Sequence, residues 1–295
     1  MKLLVTGGKG QLANEIKSII DRGVAEIGKA PIDVHNIEAR YIDIEELDIT
    51  NINDVFEYVD SYKPDVIINC AAFTNVDGCE TNKDGAFKVN ALGARNLAIA
   101  AEKNDAKLVH VSTDYVFSGV GSEPLKEYDE ARPYSVYGTT KLLGENYVRD
   151  FCSKYYIVRT SWLYGYVGNN FVYTMIKLAT NNESIKVVDD QRGNPTNAND
   201  LAYHILKLIS TEEYGVYHCT GDGECSWYDF AKKIIELSGE SCVVNPCTTD
   251  EFPRPAKRPE YSSLDNMMLR CTVGDEMRNW EDAITCFMNN LKDRK

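Results

Sequence analysis

Two hydrophobic periods alternate along the first 165 residues of the chain. Short apolar runs, which are typical of buried strands, are separated by stretches whose apolar residues recur at helical spacing. The strand-like runs are "KLLVTGG" (2–8), "RYIDI" (40–44), "DVIINCAA" (65–72), "KLVHVST" (107–113) and "YYIVRTSWLYG" (155–165). Helices are predicted after the first run and at about 52–61, 84–104 and 136–151. This alternation predicts an α/β fold with a doubly wound parallel sheet and right-handed crossovers.

The pattern becomes less regular beyond residue 165. Helical periodicity returns in three stretches, separated by short strands and a proline-bearing loop; the helices are at 171–181, 199–210 and 227–238, the strands at 185–190 and 215–221, and the loop at 252–259. We therefore predict a larger domain over 1–165 and a smaller α/β lobe over 166–295, which can return an element to the sheet. Residues 21–39 contain glycine, proline and several charges, and they predict a surface insertion.

Composition narrows the class of protein. The chain has 295 residues, 43% hydrophobic and 26% charged, as is usual for soluble globular proteins. No apolar run approaches membrane-spanning length, and the chain starts directly in a strand, so we expect a cytoplasmic protein with no membrane partner. Nine cysteines without a C-x-x-C pair predict free thiols, and four scattered histidines predict no metal site. A structural magnesium ion and the choice between monomer and homodimer stay open.

The charge balance limits the possible ligands. A net charge of −13 argues against nucleic acid as a partner, because phosphate backbones require a basic surface. It still permits a small phosphorylated ligand, which needs only a few donors in a pocket.

A glycine-rich turn connects the first predicted strand to the first helix. Its spacing is Gly7-x-x-Gly10-x-x-Ala13, one residue longer than the commoner G-x-G-x-x-G pattern. Such a turn lets bare backbone approach a ligand and directs helix N-terminal N–H groups at negative charge. The turn alone is compatible with an ordinary loop, so its function depends on the residues elsewhere in the chain.

Tyr137 and Lys141 are four residues apart and therefore lie on one face of a predicted helix. An ammonium group one turn away favours the phenolate, and we expect it to bring the pKa of Tyr137 toward neutral pH. Ser112 and Thr113 end the preceding strand with side chains on opposite faces, so one of the two hydroxyls should project at the carboxyl edge of the sheet. A solvated helix face and a simple turn are the alternative readings of these residues.

Taken together, these motifs resemble the extended short-chain dehydrogenase/reductase superfamily. Within it, "TGGKGQLA", "STDYVFSG", "RTSWLYG", "DDQRGNPT" and "RPAKRPEYSSLD" resemble the dTDP-4-dehydrorhamnose reductase family over nearly the whole chain. The resemblance implies an NAD(P)-binding Rossmann domain over 1–165 and a mainly substrate-binding lobe over 166–295. Ala13 stands where this family often has glycine; this position governs helix–strand packing, so a methyl group should be tolerated.

The resemblance also implies roles for individual residues. Thr113, Tyr137 and Lys141 would be catalytic, with Tyr137 as the proton donor. The cofactor would be bound by Gly7, Gly10, Gln11, Leu12, Asp43, Asp48, Ile49, Ala72, Phe73, Thr74, Val111, Tyr137 and Lys141. The substrate would be bound by Thr113, Asp114, Tyr115 and Trp162, and its nucleotide or diphosphate by Gln191, Gly193, Pro195, Thr196 and Arg258.

The implied reaction is reduction of the 4-keto group of dTDP-6-deoxy-L-lyxo-4-hexulose to dTDP-L-rhamnose, for cell-surface polysaccharide. The cofactor would be NADH or NADPH: Asp43 favours NADH by repelling a 2′-phosphate, and Lys9 can offset that repulsion. One alternative is another nucleotide-sugar reductase, an epimerase or a dehydratase of the same superfamily. Epimerases and dehydratases need additional acid–base carboxylates, whereas "STDYVF" provides Asp114 but no Asp-Glu pair after the threonine. A non-catalytic regulatory subunit is a further alternative, which both Tyr137 and Lys141 argue against.

Overall fold

A computed structural model describes residues 1–293 of the chain. The strands are β1 (Lys2–Thr6), β2 (Val24–Ala25), β3 (Gly28–Lys29), β4 (Glu38–Ile42), β5 (Val66–Asn69), β6 (Lys107–Thr113), β7 (Tyr155–Thr160), β8 (Leu163–Tyr164), β9 (Ser184–Val188), β10 (Arg192–Gly193), β11 (Thr196–Asn197), β12 (Gly215–His218), β13 (Cys225–Ser226) and β14 (Val243–Cys247). The helices are α1 (Gln11–Arg22), α2 (Ile52–Tyr62), α3 (Val76–Thr81), α4 (Lys83–Phe87), α5 (Ala94–Lys103), α6 (Val136–Phe151), α7 (Phe171–Asn181), α8 (Ala198–Ile209), α9 (Trp227–Ser238), α10 (Met267–Cys271) and α11 (Trp280–Asp293). A π-helical turn spans Lys88–Gly93, and 3-10 turns span Val34–Asn36, Asp114–Val116 and Thr249–Glu251.

Six parallel strands form the central sheet in the order β12-β7-β6-β5-β1-β4. Both faces are covered: α1 and α8 pack on one face, and α2, α5 and α6 pack on the other. The chain runs from β1 to β4 on one side and then to β5 on the other, so the topological switch point lies between β1 and β5. The doubly wound parallel α/β fold predicted from the sequence is confirmed. Ligands bind such sheets outside the carboxyl ends of the strands at the switch point.

The last strand of the central sheet comes from the C-terminal half of the chain. In β12, Gly215–His218 pair in parallel with Tyr156–Arg159 of β7. Helices α7, α9 and α11 form a separate core, in which Phe230 of α9 and Phe287 of α11 pack around Tyr164. The division of the chain at residue 165 stays a prediction.

The helix predicted at 84–104 is confirmed, except that a π-helical turn lies within it. Helix α4, the π-helical turn and α5 follow one another without a break from Lys83 to Lys103. Asn75 and Asn82 start α3 and α4, because each side chain accepts a hydrogen bond from the backbone N–H three residues later, of Gly78 and Gly85. Helical periodicity alone does not reveal the π-helical turn.

The surface insertion predicted at 21–39 is only partly correct. Ala25 and Ala30 are buried in the core beside α1 and α8. Glu26, in the β2–β3 turn, accepts a hydrogen bond from Arg278 at 2.7 Å, and Arg278 also binds Asp200. The segment therefore ties the N-terminal half to the C-terminal half, although most of its residues are at least partly exposed.

Within residues 1–293, no helix combines the length and the apolar character needed to cross a membrane. All nine cysteines fall in this range and carry free thiols, six of them buried.

Candidate active site

A cavity of about 760 Å³ opens at the carboxyl ends of β1, β5 and β6. It brings together most of the residues that the sequence predicts for the site. Those lining it on the expected cofactor side are Gly7, Gly10, Gln11, Leu12, Asp43, Asp48, Ile49, Ala72, Phe73, Thr74 and Val111. Those on the expected catalytic and substrate side are Thr113, Asp114, Tyr115, Tyr137, Lys141 and Trp162. The roles of these residues stay predictions.

The glycine turn presents bare backbone to the cavity. Gly7 has φ of 69°, and a side chain there would place its Cβ 2.8 Å from the backbone nitrogen of Ala71, so only glycine fits. Helix α1 starts at Gln11 after Gly10, which provides no side-chain cap, and its first turn contains no acidic residue. The first N–H groups of α1 are therefore available to an anion, and the turn fits the pyrophosphate of a dinucleotide. Ala13 is fully buried, as its expected packing role requires.

The carboxylate of Asp43 is held beside this turn. Its oxygens accept hydrogen bonds from the backbone N–H groups of Lys9 at 3.0 Å and Ile44 at 2.9 Å. The ammonium group of Lys9 pairs with Glu45 at 2.7 Å rather than with Asp43. The positive charge that the sequence offered for a 2′-phosphate is therefore already paired with a carboxylate.

Tyr137 and Lys141 lie on the cavity side of α6, which starts where the Ser135 side chain accepts a hydrogen bond from Gly138 N–H. Burial raises the pKa of Tyr137 well above its ordinary value, although a hydrogen bond with Thr113 lowers it. Burial lowers the pKa of Lys141 to about 8. Nζ of Lys141 donates to the Val111 carbonyl at 2.6 Å. The structure thus differs from the expectation that Lys141 lowers the Tyr137 pKa: burial dominates, and the phenol keeps its proton.

The two hydroxyls at the end of β6 have different partners. Ser112 donates to the Glu145 carboxylate at 2.6 Å, whereas Thr113 donates to Asp114 Oδ1 at 2.9 Å. Thr113 is therefore the hydroxyl placed beside Tyr137. Burial raises the pKa of Asp114 to about 6. Its Oδ2 is buried and has no hydrogen-bond partner in the described part of the chain, which leaves an acceptor for a ligand hydroxyl.

The carboxylate that binds Ser112 belongs to a buried ion pair behind the cavity. Arg159 of β7 donates to both carboxylate oxygens of Glu145, at 2.9 and 2.7 Å. The side chains are only 3% and 0% exposed, so the pair is almost completely removed from water. Its double hydrogen bond fixes α6 relative to the sheet.

Trp162 and Trp227 form an aromatic wall of the cavity. Their rings stack with centroids 3.6 Å apart and an angle of 9° between the planes. Trp162 has φ of 47°, which is rare for a residue other than glycine and is typical of functional positions. Trp227 was not predicted from the sequence. A usable signal was present, because Ser226 and Asp229 form a capping box that places Trp227 at the first position of α9.

Five predicted substrate residues do not line this cavity: Gln191, Gly193, Pro195, Thr196 and Arg258. Gln191 donates to the Thr249 hydroxyl at 2.9 Å, and Thr196 is fully buried and accepts from Gly221 N–H. Arg258 pairs with Asp77 at 3.0 Å. Its Nη1 is buried without a hydrogen-bond partner among residues 1–293, in a small cleft that shares Tyr115 with the main cavity.

Known proteins share this architecture and sequence. The family model of the RmlD substrate binding domain matches residues 1–293. A dTDP-4-dehydrorhamnose reductase from Aggregatibacter actinomycetemcomitans is 40% identical over 296 residues, which cover 96% of this chain and 97% of that protein. A solved dTDP-4-dehydrorhamnose reductase from Clostridium acetobutylicum is 49% identical with a TM-score of 0.94, covering 99% of this chain and 100% of that one.

A second solved structure concerns the cofactor. The dTDP-4-dehydrorhamnose reductase from Bacillus anthracis, solved in complex with NADP, is 41% identical with a TM-score of 0.91. The match covers 100% of this chain and 99% of that one.

Proposed function

The chain belongs to the dTDP-4-dehydrorhamnose reductase family, and from that premise we propose that it reduces the 4-keto group of dTDP-6-deoxy-L-lyxo-4-hexulose to dTDP-L-rhamnose. The observation that carries the proposal is the meeting of Thr113, Tyr137 and Lys141 in one cavity with the Gly7–Gly10 turn. The reaction would serve cell-surface polysaccharide synthesis in the cytoplasm. It is tested by incubating the purified protein with the keto-sugar and NADH or NADPH and identifying the sugar product.

The cofactor-binding residues and the proton donor have separate roles in the proposed reaction. The glycine turn and the N-terminus of α1 would hold the pyrophosphate, and Asp43 the adenosine ribose. When bound, the reduced nicotinamide supplies the hydride. Tyr137 holds its proton because it is buried, and it would give that proton to the substrate oxygen as charge develops there. Thr113 would orient the carbonyl, and Lys141 would stabilise the tyrosine after proton transfer.

The substrate would extend away from the catalytic groups along the aromatic wall. Asp114 Oδ2 is available to a sugar hydroxyl, and Trp162 provides an apolar face for the ring. The unpaired Nη1 of Arg258 is a donor suited to the diphosphate. Tyr115, which lines both cavities, would lie between the two groups.

An epimerase or dehydratase that returns its hydride is the main alternative. Such an enzyme keeps its nicotinamide bound and shows no net consumption of reduced cofactor. Stoichiometric oxidation of NADH or NADPH by protein free of bound nucleotide supports the reductase, whereas cofactor-independent conversion of the sugar contradicts it. A regulatory subunit would neither oxidise the cofactor nor convert the sugar.

We propose NADH as the preferred cofactor, because the Asp43 carboxylate lines the expected ribose position and the Lys9 ammonium is paired with Glu45. Asp43→Ala should lower kcat/KM for NADH by about tenfold or more, since a hydrogen bond to a charged group is lost, and should lower kcat/KM for NADPH less. The measurement is kcat/KM for both cofactors. Asp48→Ala is the matched control: if it causes the selective loss instead, Asp48 is the ribose ligand and the assignment of Asp43 is wrong.

Asp114 should make substrate binding depend on pH. Because its pKa is about 6, the carboxyl is mainly protonated at pH 5 and ionised at pH 7, and only the ionised form is a strong acceptor for a sugar hydroxyl. We expect KM for the keto-sugar to fall severalfold between pH 5 and pH 7. Asp114→Asn should have a raised KM that no longer changes over this range. A wild-type KM that is constant with pH would show that Asp114 does not bind the sugar in its ionised form.

A further inference from the structure

His110 is a buried polar residue that the proposed reaction does not use. It lies in β6, is 1% exposed, and stands between Asn69 of β5 and Lys141 of α6. Its Nδ1 is 3.1 Å from Asn69 Nδ2, and its Nε2 is 3.5 Å from Lys141 Nζ. The imidazole therefore joins the interior of the sheet to the lysine of the candidate active site.

The hydrogen bonds of Asn69 determine which ring nitrogen carries the proton. Asn69 Oδ1 accepts from the backbone N–H of Ala71 at 3.1 Å and from the Thr6 hydroxyl at 2.8 Å. A backbone N–H can only donate, so the amide oxygen is fixed on that side and the NH₂ group faces His110. Nδ1 of His110 is then an acceptor, and the proton of the neutral ring is on Nε2. Burial, with Lys141 nearby, also lowers the pKa of His110 well below its ordinary value, which keeps the ring neutral.

An N–H group thus faces the nitrogen of Lys141. An ammonium group cannot accept a hydrogen bond, whereas a neutral amine can. The histidine N–H therefore disfavours the charged lysine and favours its neutral form. We propose that His110 is a positioning residue whose Nε2–H helps Lys141 to release a proton when the Tyr137 phenol is re-formed during turnover.

The proton transfers balance in three steps. The O–H bond of Tyr137 breaks as the substrate alkoxide gains its proton. A bridging water or ligand hydroxyl then gives a proton to the tyrosinate, which re-forms the Tyr137 phenol, and takes a proton from Lys141, whose N–H bond breaks. The neutral amine accepts the hydrogen bond of His110 Nε2–H. Lys141 recovers a proton from water in the cavity, so one solvent proton is consumed for each alcohol formed.

Other groups around Lys141 do not replace this contact. On its own helix, Glu145 raises the Lys141 pKa, but both of its oxygens bind Arg159. Tyr137 is a neutral phenol, and Cys70 at the end of β5 is a neutral thiol because burial raises its pKa to about 12. The Val111 carbonyl accepts from Nζ in either charge state.

The close approach of α6 to β6 depends on a glycine. A Cβ at Gly144 would lie 3.3 Å from His110 Nε2 and 2.3 Å from the Asn90 carbonyl oxygen. A larger residue would push the helix, and Lys141 with it, away from the imidazole.

The test is the titration of Lys141 in protein without substrate or cofactor, so it is independent of whether the proposed reductase activity, on which the inference rests, is correct. Lysine labelled with ¹³C at Cε is followed by NMR, and Lys141→Met identifies the signal. His110→Phe should raise the Lys141 midpoint by about half to one pH unit, since one hydrogen bond is removed. His110→Gln, which keeps a donor, should restore most of the wild-type midpoint. His204→Phe, a buried histidine in α8, should leave it unchanged.

An unchanged midpoint in His110→Phe overturns the proposal even if that variant loses activity. A shift in the midpoint without reductase activity in the wild type supports the role of His110 and contradicts the proposed function instead. Should His110→Phe fail to fold, ¹⁵N NMR of the wild-type imidazole decides: a proton on Nε2 supports the proposal, and a proton on Nδ1 overturns it.

Discussion

Tyr137→Phe is expected to lower kcat by about 10²–10⁴-fold, the contribution typical of a well-placed general acid. The substitution keeps the ring, which packs edge-on against Tyr115 with centroids 5.5 Å apart, and removes only the hydroxyl. The Thr113 hydroxyl retains its bond to Asp114, so no buried donor is left unpaired. Folding and cofactor binding should therefore survive. The measurement is turnover with the keto-sugar, with cofactor affinity determined separately by titration.

Tyr115→Phe is the matched control for this experiment. It makes the same chemical change in the same cavity, but at a residue expected to contact the sugar, so it should affect KM more than kcat. Lys141→Met should also lower kcat, and the combined variant should lose less than the product of the two single losses because the residues act as a unit. If Tyr137→Phe binds cofactor normally and turns over at a near wild-type rate, Tyr137 is not the proton donor.

Arg159→Met should destabilise the folded protein by about 3–5 kcal/mol, the cost of leaving a buried charge without its partner. Glu145 is completely buried, and only the Ser112 hydroxyl would remain bonded to its carboxylate. The Arg159 guanidinium also lies over the Phe117 ring, at 5.0 Å from its centroid, so packing is lost as well. The measurement is the free energy of unfolding in denaturant.

Arg132→Met serves as the control for charge removal. Arg132 pairs with Glu130 at 2.6 Å, but both side chains are about 70% exposed, and such pairs contribute at most about 1 kcal/mol. The double variant Glu145→Leu/Arg159→Met removes both charges and should recover part of the lost stability. If Arg159→Met and Arg132→Met lower the free energy of unfolding equally, the buried Glu145–Arg159 pair contributes no more to stability than an exposed ion pair.

The parts of the site that the sequence predicted depend on local spacing. The carboxyl ends of parallel strands lie at one edge of the sheet, so Gly10 and Thr113 could be assigned to one cavity from topology, whereas Asp43 was implied by the family resemblance. Tyr137 and Lys141 are one helical turn apart, and their common face follows from the period of the helix.

The parts that could not be predicted depend on contacts between distant segments. The ring of Trp227 stacks on Trp162 only because α9 packs against the loop after β7. Lys141 turns toward the Val111 carbonyl because burial leaves its ammonium few acceptors, and the spacing of Tyr137 and Lys141 contains no information about that choice.

The return of β12 to the central sheet has a consequence for synthesis on the ribosome. When β7 emerges, it can pair with β6, but its second partner, β12, is still roughly 60 residues away. At about 5–20 residues per second, several seconds pass before β12 can pair. During that interval β7 is a sheet edge with an apolar sequence and no strand on its outer side, and nascent chains associate through such edges. Because β12 pairs late, we expect the partly synthesised chain to bind chaperones.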